Sequence, residues 1–191
     1  MHRIVLLLCL CACAPASAGR VQDLDRMLAE WITVSDLLKD YQAFEADQWE
    51  NEWRRKDQTP SERAIEFIAS ENTITAIKPD MLNKLRKLIE MRDLQIELAF
   101  NATANGALLR QLELDCACAG TTIRAEPNTL EAFVESRFDA GDIAEDTRDV
   151  LVGFLDSKTH DRFYWRIRRG LDDLIVLRKK RLRKGVRKLQ H

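Results

Sequence analysis

Eight cations crowd the C-terminal end of this chain: Arg178, Lys179, Lys180, Arg181, Arg183, Lys184, Arg187 and Lys188. At this density they attract carboxylates, phosphates or an anionic surface over a distance, and salt weakens that attraction. Residues 166–191 hold eleven Lys or Arg against Asp172 and Asp173, a net +9. The remaining 165 residues carry 19 basic and 29 acidic side chains, a net −10. The formal charge of −1 therefore conceals a strongly dipolar molecule.

Leu171, Ile175, Leu182, Val186 and Leu189 run through the same region at helical spacing, so the cations ride on an amphipathic helix. Three counterparts suit such a helix. It docks on the acidic body of its own chain, lies on an anionic membrane surface, or engages an acidic protein partner. Self-docking would leave the fold standing and remove the contact surface. Few aromatic residues interleave the cations, so no stacking platform for single strands is present and nucleic acid is not an expected partner.

Cys116 and Cys118 form a second pattern. A bridge across one residue is strained and easily reduced, which reads as a disulfide or thiol pair in an oxidising compartment. No thioredoxin-like βαβ pattern surrounds them, and His160 and His191 are the only histidines beyond residue 18, too few for a convincing metal site. Arg92 and Arg110 form a third pattern, falling on the apolar side of a predicted helix. Buried arginine is paired or binds an anion. The pair therefore reads as a small-anion pocket, or as salt bridges to acids such as Glu45 or Glu66. No Ser/His/Asp set, Cys/His pair or phosphate-cradling glycine loop is visible. Catalytic residues, metal ligands and cofactors are not assigned, and a non-enzymatic role is favoured.

The elements that must position these residues are helices. Gly is 7 and Pro 4 of 191 residues, and 46% of the chain is apolar, with 3.6-residue periodicity rather than alternation. Residues 80–115, apolar around most of their circumference, predict one long central helix started by Pro79. Its narrow polar strip is Arg86, Glu90, Asp93, Glu97 and Asn101. A long first helix is expected over 20–57, with Trp49 and Trp53 packing on the central helix. Ser61 caps a shorter helix over about 61–77, with Ala64, Ile65, Ile68 and Ile74 inward. Residues 115–128 read as a loop, followed by helices over about 129–138, from about 142, and over 161–189. The fold class is all-α: a helical bundle of five to six helices around a long central one.

The N-terminus reads as an export leader. A basic start, a short apolar run and Ala16-Ser17-Ala18 fit a signal peptide over 1–18, leaving one domain over 19–191. Leu10-Cys11-Ala12-Cys13 competes as a lipobox, with leader 1–12 and Cys13 lipidated. A periplasmic or secreted protein follows from the first reading, and an outer-membrane-anchored lipoprotein from the second. Together these features predict an exported helical binding protein of the bacterial envelope, of inhibitor, immunity, adaptor or assembly-factor type. It would meet a protein partner or an anionic membrane through its basic last helix. Size, leader and helix content also resemble those of secreted chorismate mutases. That resemblance is one of general architecture and transfers no residue. It implies the alternative of an exported all-α enzyme with an arginine-lined pocket for a small anionic substrate.

Overall fold

A computed structural model describes residues 16–56, 59–116 and 126–189. The leader segment 1–15 with Cys13, and Cys118 with residues 117–125, lie outside the described residues. Within the described residues every regular element is an α-helix. They are α1 (Ala16–Val34), α2 (Leu37–Arg55), α3 (Glu62–Glu71), α4 (Ile74–Leu85), α5 (Met91–Asn101), α6 (Ala104–Asp115), α7 (Pro127–Asp139), α8 (Glu145–Leu155) and α9 (Lys158–Leu189). No helix among them is long and apolar enough to cross a membrane.

The organising element is α9 rather than residues 80–115. Its 32 residues span roughly 48 Å at about 1.5 Å each. Ser157 caps its start, with Oγ accepting from the His160 N–H at 3.1 Å. Phe163, Ile167, Leu171 and Leu174 enter the main apolar core with Leu28, Trp31, Tyr41, Met81 and Leu94. Further along, Leu182 and Val186 join Trp49, Ala64 and Ile68 in a second core. A third, of Leu109, Leu112, Leu130, Val134, Leu151 and Leu155, is built by α6, α7 and α8.

The expected central helix is three helices. Leu85 ends α4, α5 starts at Met91, and Thr103 restarts the chain as α6 by accepting from the Gly106 N–H at 3.0 Å. Apolar periodicity carried through 80–115 because each piece buries a face, but the pieces point at different cores. Pro79 is not the start of a helix: it lies inside α4, which Thr73 caps by accepting from the Ala76 N–H. The expected helix over 61–77 is split for the same reason, at Asn72-Thr73. Ser61 does cap α3, accepting from the Ala64 N–H at 3.3 Å, and Ala64 and Ile68 are buried, but Ile65 and Ile74 are exposed.

The expected helix over 20–57 breaks at Ser35-Asp36. Asp36 takes a left-handed conformation, φ 53°, which Asp tolerates better than most residues. Trp49 is buried as expected, but against α3 and α9 instead of the segment 80–115. Pro127 opens α7 at its first helical position, two residues before the expected start at 129.

Candidate interaction face

The basic helix meets the acidic body at a series of cross-helix ion pairs, and the first expected site residue is the most deeply embedded. Arg178 is 0% exposed. Its Nε donates to Glu45 Oε1 at 2.8 Å and its Nη2 to Glu45 Oε2 at 2.7 Å, a two-pronged pairing that fits the guanidinium plane. Nη2 also donates to the Glu71 carbonyl at 2.7 Å, one of the unpaired carbonyls that end α3, and Nη1 reaches Asp80 Oδ2 at 3.3 Å. Burial works against the Arg178 charge, but Glu45 outweighs it, so the pKa rises and the guanidinium stays charged. Burial, with Glu45 adding its charge, pushes the nearby Tyr41 phenol well above its ordinary range. A surface role for Arg178 is therefore corrected: a fully enclosed guanidinium cannot meet a partner.

Lys179, Arg181 and Arg183 flank this node. Arg181 Nη2 lies 2.6 Å from Asp80 Oδ2 and 3.5 Å from Glu71 Oε2. Arg183 grips both oxygens of Glu52, at 3.2 and 2.9 Å, and Lys179 Nζ is 3.7 Å from the same carboxylate. Burial raises the Glu52 pKa, but Arg183 and Lys56 outweigh it and hold it down at about 2. A depressed carboxyl contributes stability that is fully present above its unfolded value near 4.5 and lost as pH falls towards 2. We expect denaturant midpoints of the wild type to exceed those of Glu52→Gln above that window. The gap should close as pH drops through it; a gap constant with pH would show that Glu52 is not held this way.

At the other end of α9, Asp93 is 1% exposed and accepts from Arg162 Nη2 at 3.0 Å and Arg166 Nη1 at 3.2 Å, with Arg166 also paired to Glu90. Glu97 is 4% exposed, its Oε1 lying 2.8 Å from His160 Nδ1. Asp93 and Glu97 of the polar strip thus face α9, not water, while Glu90 stays exposed at its edge and pairs with Arg166. Sequence reasoning missed Glu52, Glu71 and Asp80, and did not place Glu45 or the strip acids against α9. One signal was present: acids at 90, 93 and 97 have the one-turn spacing that matches Arg162 and Arg166 on the facing helix.

Lys180, Lys184, Arg187 and Lys188 form the other half of the expected site. All four are exposed, and none is in an ion pair with a described residue. At about 100° per residue they share one arc of α9 with Val176 and Leu177, which are 69% and 39% exposed. Leu189 lies outside this arc.

The remaining expected sites separate. Arg92 is exposed. Arg110 is half-buried and held by Asp40 Oδ2 at 2.8 Å and Glu113 Oε2 at 3.1 Å. Burial lowers its pKa, but Glu113 and Asp40 outweigh that and raise it. A guanidinium already clasped by two carboxylates is not an anion receptor, so the Arg92/Arg110 anion pocket is corrected. Cys116 is buried at the end of α6, its N–H donating to the Leu112 carbonyl at 2.9 Å. Comparison of the chain with protein-family models, with curated proteins and with solved structures finds no match.

Proposed function

We propose that this chain is an exported helical binding protein that lies against an anionic membrane surface through the outer arc of α9. The observation that carries this reading is the division of labour along one helix. Arg178, Lys179, Arg181 and Arg183 are engaged by the chain's own acids, whereas Lys180, Lys184, Arg187 and Lys188 stand exposed beside Val176 and Leu177, paired with no acid among the described residues. An internal neutralisation would have no use for the outer four. Two exposed apolar side chains among four cations suit shallow contact with charged headgroups better than the dry core of a protein interface. Export through a leader over 1–18 places such a face where envelope lipids lie. Lipidation of Cys13 would supply a second anchoring signal, since one acyl chain alone holds weakly.

Each cation near an anionic bilayer contributes about 1 kcal/mol at modest ionic strength. Replacing Lys180, Lys184, Arg187 and Lys188 together by Gln is therefore expected to weaken partitioning onto phosphatidylglycerol-containing vesicles by about a hundredfold or more. All four are exposed, so the thermal midpoint should hardly move. Wild-type binding should fall steeply from about 10 to about 100 mM salt, as the Debye length shrinks from about 30 to about 10 Å. Equal partitioning of the variant, or none of the wild type, defeats this reading. Capture of an envelope protein that is lost with the same four substitutions would assign the face to a protein partner instead.

A further inference from the structure

A cavity of about 270 Å³ lies where the main core meets the α6–α8 unit, away from the outer arc of α9. Its apolar wall includes Trp31 and Phe163, packed edge to face at 4.8 Å, and Phe154, which stacks on Phe100 at 3.6 Å. Its polar wall includes Ser35, Glu97, Asn101, Arg110 and His160. A few convergent polar groups in a mostly apolar hollow, at a junction between packing units, is the usual make-up of a small-molecule site.

We infer that this cavity binds a compact aromatic amine, its protonated nitrogen at Glu97 and one hydrogen-bonding oxygen near Arg110. Three observations carry the assignment. Glu97 is a buried carboxylate whose one hydrogen-bond partner among the described residues is His160, leaving acceptor capacity on the cavity side. Ser35 is 3% exposed, lines the cavity, and its Oγ has no hydrogen-bond partner among the described residues; the buried Arg110 Nε has none among them either. Buried polar atoms are costly unless satisfied, so a ligand that satisfies them is favoured.

Size and charge narrow the class. A cavity of about 150 Å³ accommodates benzene, so this one holds about ten to twelve non-hydrogen atoms by proportion. An anion would meet Glu97 and an Arg110 already held by Asp40 and Glu113. A cation meets a carboxylate in a wall that includes the aromatic rings of Trp31 and Phe154, both favourable. This binding site is independent of the membrane reading, because none of its residues lies on the outer arc of α9.

Tyramine is the right size for a probe, with 4-propylphenol as its neutral isostere and 3-(4-hydroxyphenyl)propionate as its anionic one. Calorimetric titration of the full chain should give sub-millimolar tyramine binding, at least about tenfold tighter than either isostere. Glu97→Gln should weaken tyramine by about tenfold to a hundredfold, the loss of one charge-assisted bond. Ala107, exposed at the rim, offers a second variant that leaves the Glu97–His160 pair intact: Ala107→Phe should block binding without lowering the thermal midpoint. The inference is overturned if the propionate binds as tightly as the amine. It is equally overturned if no probe binds, or if tyramine binding survives both substitutions.

Discussion

Arg178→Met is expected to remove about 3–5 kcal/mol of stability, the usual loss when one member of a buried ion pair is deleted. For a chain of this size that corresponds to a fall of roughly 10 °C in the thermal midpoint. The physical reason lies with the partner. Glu45 is 6% exposed and would be left buried with both guanidinium bonds gone, while the Glu71 carbonyl would lose its donor. The double variant Arg178→Met/Glu45→Leu should recover about 2 kcal/mol or more, because an apolar pair of similar volume does not strand a charge. Recovery should stay incomplete, since the Glu71 carbonyl still lacks its donor and Asp80 keeps only Arg181. Calorimetric melts of the three proteins decide the matter: a single-variant loss below about 1 kcal/mol would mean that Arg178 is hydrated rather than enclosed. The same burial explains why deleting residues 178–191 cannot isolate a binding function. Such a truncation removes Arg178, Leu182 and Val186, which are 0%, 0% and 7% exposed, and so takes out the core that α2, α3 and α9 share.

Gly106→Ala should be nearly as damaging, at about 3 kcal/mol, the upper part of the usual range for overpacking. A Cβ on Gly106 would stand 2.2 Å from the Phe100 carbonyl oxygen and 2.7 Å from the Asn101 Cα. Both are backbone atoms of the preceding turn, and backbone cannot rotate aside as a side chain can. The α5–α6 corner must open instead, breaking the Thr103 cap and shifting the wall of the cavity. Gly153→Ala is the internal control. Nothing lies within 4 Å of its Cβ position, which is inside α8, so removing glycine's helix penalty should stabilise by about 0.5–1 kcal/mol. Denaturant unfolding of both variants tests the contrast, and a Gly106→Ala midpoint equal to that of Gly153→Ala would contradict the close approach described.

The division between legible and illegible features follows the range of the forces involved. Local signals read true. Ser61 caps α3, and the apolar seam Leu171-Ile175-Leu182 of the last helix turns inward. The acidic body and the basic end do attract one another. The breaks at Asp36, 86–90 and Ala102-Thr103 were not legible as breaks, because apolar spacing continues across them and no proline or glycine stands at the junction. A helix with two apolar faces and two short helices bent at a corner share one periodicity.

By itself the sequence determined that the chain is helical, that its charge is split between body and last helix, and that α9 is amphipathic. Tertiary structure alone decided which cations are used internally. Arg178 and Lys180 are two residues apart and chemically alike, yet one is enclosed by Glu45, Asp80 and Glu71 while the other faces out. About 200° of helical rotation separates them, and only the packing of α2, α3 and α4 against α9 says which side of that rotation holds the acids.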